Sequence, residues 1–165
     1  MQINGNAIVR NNIILHGKRS ALRLGPEIEG WPRPRASDVV KAFNNVIFER
    51  RGHAVTFVHD LRVIFANNIV DGAVRGDPAG LATHNYWLAE NHGRERIWEP
   101  PLYQAKGFEF VPSSVRFLNA GWAGDPAVPQ DDFDGQPREG LPDIGAREMT
   151  TPASKRRKPP KLPDE

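Results

Sequence analysis

Seven charged or titratable side chains fall close together near the middle of the chain: Lys41, Glu49, Arg50, Arg51, His59, Asp60 and Arg62. Their types suit lyase chemistry on a uronate, which needs a cation to neutralise the sugar carboxylate and a base to take the C5 proton. Lys41, Arg50, Asp60 and Arg62 are the candidate catalytic residues on that reading. A glycosidase would need two facing carboxylates instead, and Glu49 with Asp60 is the central pair available. Charge on a protein surface is more often a plain solvated face. Either chemistry therefore depends on a fold that brings these residues to one side.

Other chemistry-bearing residues are sparser. Asp132-Phe133-Asp134-Gly135 invites a calcium reading, but Gln130 stands where the first ligand of the full loop belongs and Leu141 where its closing Glu belongs. A structural role fits better and no metal site is expected. Gly135 and Gly145 supply tight turns, and Arg138 is placed to pair with Asp143 or Glu148. None of His16, His53, His59, His84 and His92 shows metal-ligand spacing on a helix. Trp31, within a Pro-rich segment, is a candidate for stacking on a sugar ring, whereas Trp122 reads as packing. Cysteine is absent, which removes disulfides, thiolate metal sites and a thiol nucleophile.

The elements that must position these residues are repeats. Ala7-Ile8-Val9-Arg10-Asn11-Asn12-Ile13-Ile14-Leu15, Val39-Val40-Lys41-Ala42-Phe43-Asn44-Asn45-Val46-Ile47-Phe48 and Val63-Ile64-Phe65-Ala66-Asn67-Asn68-Ile69-Val70 share one frame. Each has two apolar, β-prone segments too short for helices. An Asn pair lies between them, and Asn tolerates the left-handed conformation a sharp turn requires. The pairs are 33 and 23 residues apart. The longer gap holds the Pro- and Gly-rich stretch Gly25 to Arg35, and removing roughly ten residues restores a period in the low twenties, the mark of a solenoid. Stacked turns would set Asn12, Asn45 and Asn68 above one another, with amides bonding along the stack; Asn91 keeps the spacing.

The expected architecture is all-β, a right-handed parallel β-helix of about four rungs plus a C-terminal cap. Residues 1–107 form the rungs, with an insert loop at 24–36; residues 108–149 form the capping region; residues 150–165 are a disordered basic tail. The tail carries Lys155, Arg156, Arg157, Lys158 and Lys161, and without it the body has 17 basic and 18 acidic side chains. The calculated pI of about 9.1 thus comes from the tail, and a whole-domain nucleic-acid surface is not expected. No apolar stretch is long enough to span a membrane, and the first residues do not read as a signal peptide as written. Nothing ahead of Ile3 can cap the stack. The chain therefore reads as the C-terminal part of a longer protein, or as one that oligomerises at the open end.

The segment Asp132 to Glu148, with its D-x-D-G-x-x-R element followed by Asp143-Ile144-Gly145-Ala146-Arg147-Glu148, resembles the closing signature of bacterial right-handed parallel β-helix repeat proteins of the pectate-lyase-like superfamily. Phe110 to Gly121 resembles the element before it, although Ser114-Val115 replaces Ser-Pro and Asn119 stands where an acidic residue is usual. The resemblance implies structural roles for Asp134, Gly135, Arg138, Asp143, Gly145 and Glu148. It also implies an extracellular or envelope location and a polysaccharide or cell-surface glycan as partner. A non-catalytic carbohydrate-binding or structural module is the leading expectation. The alternative is a polysaccharide lyase or glycoside hydrolase acting on acidic polysaccharide, with calcium as a possible cofactor in the lyase case.

Overall fold

A computed structural model describes residues 1–17, 19–26, 34–59, 61–87 and 115–148. Ten strands follow one another: β1 (Gln2–Ile3), β2 (Ala7–Arg10), β3 (Ile13–Leu15), β4 (Ser20–Leu24), β5 (Val39–Phe43), β6 (Val46–Phe57), β7 (Arg62–Ala66), β8 (Ile69–Arg75), β9 (Ala79–Thr83) and β10 (Tyr86–Trp87). Every pairing between them is parallel. One sheet has the order β2-β5-β7-β9; the other has the order β1-β4-β6-β8-β10, with β3 also on β6. The long β6 explains the second sheet. Its first residues pair with β3 and its last with β4.

The pairings resolve into three columns. Column one is the β2-β5-β7-β9 sheet. Column two holds β3, the starts of β6 and β8, and β10. Column three holds β1, β4 and the ends of β6 and β8. Each pass of the chain visits the columns in turn, giving a solenoid-like stack of rungs. The fold is all-β with parallel sheets, and no helix among the described residues is long and apolar enough to cross a membrane.

Side-chain alternation places the core. In β5, Val40 and Ala42 point inward and are fully buried, while Val39 and Lys41 are half-buried on the outer face. Val63, Phe65, Ile47, Val70, Leu22, Leu24 and Val55 complete the interior. Phe65 meets Phe57 edge-on at 5.4 Å and stacks on Trp87 at 5.5 Å. Each such side chain stabilises by roughly 1.5–3 kcal/mol. Column two is apolar on both faces, and its outward residues Val46, Phe48 and Ile69 are buried too. A strand buried on both sides reads as a continuous apolar run, which is what Ile13-Ile14-Leu15 and Val46-Ile47-Phe48 are.

The cover over column two is the C-terminal segment. After a short 3-10 turn at Val115–Phe117 it has little regular structure, apart from an isolated bridge between Asp131 and Pro137. Phe117, Ile144 and Ala146 pack on Val46, Phe48 and Ile69. Trp122 and Val128 pack on Phe43 and Ala66 at the end of column one. The described part of the segment expected as a cap therefore lies along the side of the stack, astride the corner between columns one and two. We call residues 115–148 the strap.

The corner between columns two and three is built differently. The chain loops out there between β3 and β4 and again over residues 49–52, whereas β8 passes with a register shift that leaves Gly72 in place of a loop. Buried Glu49 holds the two loops together: Oε2 accepts the Gly17 N–H at 2.6 Å and Oε1 the Arg51 N–H at 2.7 Å. Gly72 has φ of 139°, and a Cβ there would lie 2.1 Å from the Glu49 carbonyl oxygen. Only glycine fits under that loop.

Candidate functional site

The corner between columns one and two always has two residues, and they behave differently. The first, Asn11, Asn44, Asn67 or His84, has a positive φ between 51° and 61°. The second forms a ladder. Asn12 donates N–H and Nδ2 to Asn45 Oδ1, both at 3.0 Å. Asn45 does the same to Asn68 Oδ1 at 3.0 and 2.9 Å, and Asn68 to Asn85 Oδ1 at 2.9 Å twice. The spare Nδ2 hydrogens reach back one rung, from Asn45 to the Val9 carbonyl, from Asn68 to Ala42 and from Asn85 to Phe65. Asn45 and Asn68 are wholly buried, so each amide satisfies backbone groups that water cannot reach. The ladder's next member is Asn85, only 17 residues after Asn68; Asn91 lies outside the described residues.

The first-position side chains of Asn11, Asn44 and Asn67 reach the strap, and Asn67 Nδ2 also donates along the stack to Asn44 Oδ1 at 3.2 Å. Asn11 Nδ2 donates to the Asp131 carbonyl at 2.7 Å and Asn44 Nδ2 to the Asp143 carbonyl at 2.7 Å. Asn67 Nδ2 donates to the Trp122 carbonyl at 2.8 Å, and its Oδ1 accepts the Trp122 N–H at 2.6 Å. One chain segment thus grips three successive rungs. Gly145 lies hard against the stack: its N–H donates to the Asn67 carbonyl at 2.8 Å, and a Cβ would lie 2.7 Å from Ile69 Cδ1.

The strap's own turns are held by residues of the segment Asp132 to Glu148. Asp132 Oδ1 accepts the N–H groups of Asp134 and Gln136, and Oδ2 accepts that of Glu148. Gly135, with φ of 73°, closes that turn. Asp134 pairs with Arg147 at 2.8 Å, and Arg147 lies over Phe133. The Arg138 side chain is only 2% exposed and spreads its donors: Nη1 to Glu148 Oε2 at 2.7 Å, Nη2 to Asn11 Oδ1 at 3.1 Å, and others to the carbonyls of Asp131, Gly145 and Ala146. A buried guanidinium must satisfy all five N–H groups, and a two-toothed pairing with one carboxylate would leave some unmet. Asp143 takes the Asn119 N–H at 2.6 Å. Burial, joined by the charge of Asp143, pushes the Glu148 carboxyl above its usual range against the pull of Arg138.

The outer face of column one carries the exposed chemistry. Ile8, Lys41, Ile64 and Leu81 lie in register there, with Arg62 opposite Val39. A shallow, mainly apolar groove is lined by Asn6, Ala7, Ile8, Val39 and Lys41. At its rim the Lys41 ammonium meets both oxygens of Asp125 from the strap, at 3.0 and 2.8 Å. Burial pushes Asp125 upward, but the Lys41 contact and the Ala127 N–H outweigh it and hold the carboxyl below its usual value.

The sequence candidates are distributed as follows. Lys41 and exposed Arg62 share the outer face of column one. Exposed His59 precedes β7 in the loop leading to that face. The backbone of Arg50 and exposed Arg51 lie at the other corner, on the looped-out part of β6. Glu49 beside them is buried, and the Arg51 N–H, against burial and with help from the Gly17 N–H and His16, holds its carboxyl low. Asp60, Trp31 and the side chain of Arg50 lie outside the described residues. Nothing in the sequence singles out Asp125, whose local signal is only the turn it caps at Ala127. Comparison with family models, curated proteins and solved structures finds no match to this chain.

Proposed function

We propose that the stack is a right-handed parallel β-helix of the pectate-lyase-like kind, about four rungs with a C-terminal closing segment, acting as a non-catalytic module. Its partner is an acidic polysaccharide or cell-surface glycan, met outside the cell or at the envelope. The observation that carries this reading is the groove of Asn6, Ala7, Ile8, Val39 and Lys41 on the outer face of column one. An apolar floor with a few polar groups suits a sugar ring, and exposed Arg62 on the same face suits a uronate carboxylate.

The catalytic alternative has less support. The Lys41 ammonium is held by both oxygens of Asp125, so it is engaged in an ion pair rather than offered to a substrate proton. Glu49 is committed to backbone N–H groups, which leaves no second carboxylate among the described members of the central cluster. Calorimetric titration with uronate-containing polysaccharides tests binding, and absorbance of unsaturated product, with and without calcium, tests lyase activity. Binding without product is the expected result, weakened about tenfold by Arg62→Ala, which corresponds to the loss of one charged hydrogen bond. Product formation would overturn the non-catalytic assignment. No binding to any glycan would remove the carbohydrate partner.

A further inference from the structure

Rung meets rung through a directional set of bonds at the Asn corner. The first corner residue donates its N–H forward, to the carbonyl just before the next pair: Asn11 to Phe43, Asn44 to Ala66 and Asn67 to Thr83. The second donates N–H and amide forward to the next Asn Oδ1. The residue after each later pair donates back, Val46 to the Asn12 carbonyl, Ile69 to Asn45 and Tyr86 to Asn68. A stack with such polarity has two unlike ends. By the same repeat, the first rung turns the Asn12 Oδ1, the Arg10 carbonyl and the Ile13 N–H outward along the stack. The last rung turns out the N–H groups of His84 and Asn85 and the Asn85 carbonyl. Acceptors at one end face the positions of donors at the other.

The side chains and the chain path agree. Gly80 and Ala82 occupy inward positions of β9, in register with Val63 and Phe65. They are exposed, whereas Val40, Ala42, Val63 and Phe65 are at most 1% exposed. At the first rung the inward Ala7 is half-buried while the inward Val9 and Ile14 are 6% and 8% exposed, and Ile8 on the outer face is 57% exposed. Column three begins one step early, because β1 pairs with β4 ahead of β2. The described part of the last rung stops after column two, at Trp87.

We infer that the first-rung edge, Ala7 to Leu15, is a docking surface for the last rung of a second copy of this chain. The contact continues the internal rung-to-rung interface. It places Leu81 beside Ile8 of the next copy and Ala82 beside Val9, and lets Asn85 donate to Asn12 Oδ1. Unpaired strand edges are templates for such addition. A head-to-tail contact does not close on itself, so repetition gives a linear filament.

Two kinds of variant block one end each. Ile8→Pro removes an N–H that points away from β5, a change tolerated on an edge strand. Ala82→Lys, or Ala82→Pro as a second form, blocks the last rung. Circular dichroism confirms that each variant used retains the wild-type fold. In sedimentation experiments on the full chain, the wild type should grow in mean mass with concentration. Each blocked variant alone should remain monomeric, and an equal mixture of the two kinds should form a dimer and nothing larger. A wild type that stays monomeric at all concentrations overturns the inference. So do blocked variants that assemble as the wild type does, or a mixture that yields no dimer.

Discussion

The two residues of each Asn pair are neighbours of one type with different main duties, although the outer Asn67 also donates to the outer Asn44 of the rung before it. The inner member points along the stack and bonds rung to rung. The outer member, first in sequence, turns the chain with a positive φ and offers its amide to the strap. Their tolerance differs accordingly. The last rung has His84 at the outer position with φ of 51°, beside Thr83 Oγ1 at 2.7 Å, whereas Asn85 keeps the inner one. Turning the backbone is a task several residues can perform. Presenting an acceptor and two donors at fixed spacing, inside a buried stack, is specific to an amide.

Substitution can break that contrast. The largest effect is expected at Asn68→Ala, which leaves several buried backbone groups unmet and should cost about 4 kcal/mol, read from urea unfolding. Asn67→Ala should cost about 2–3 kcal/mol, from the strained backbone and the lost Trp122 bonds. Asn67→Gly should recover the backbone part. Hydrogen exchange should show Asn67 variants loosening the strap before the stack, and Asn68 variants loosening both together; the same pattern for both would erase the distinction.

Glu49→Gln tests the corner held without asparagine, at about 1–2 kcal/mol near neutral pH. The folded-state carboxyl lies below its ordinary 4.5, so its contribution is present above that value and lost as pH falls through the lowered one. Stability of the wild type should therefore drop more steeply than that of the Gln variant below pH 4.5. Parallel acid curves would contradict the assignment. The smallest effect belongs to Lys41→Met, which keeps the apolar stem and removes a partly exposed pair with Asp125. It should cost under about 1 kcal/mol, and less at high salt.

The rung pattern is legible in the sequence because each element is local: two apolar segments with an Asn pair between them. The ladder residues Asn12, Asn45 and Asn68 can be named from spacing alone. The third column is harder to see, because Ser20–Leu24 mixes polar residues into its pattern and β6 runs through both columns without a break. The path of the strap is not legible at all. Its bonds join residues as far apart as Asn11 and Arg138, and nothing in the type of Asp125 or Trp122 names its partner. The charged cluster is compact in the sequence because its members are close along the chain. Residues at different corners of one rung are near in number and apart in space, so Lys41 and Arg51 end on different sides.

The looped corner under Glu49 has a consequence for how such a chain can change. A loop bridges it in each of two rungs, and Gly72 takes its place in the next, yet columns two and three keep their pairing on both sides. Length there is decoupled from alignment. A foreign peptide spliced in after exposed Arg51, beyond the bonds of Glu49, should be carried on the surface with columns two and three still paired, whereas one extra residue between Asn44 and Asn45 would throw the whole rung out of step. The molecule thus has a rigid seam and a free seam, and new parts can be added along the free one.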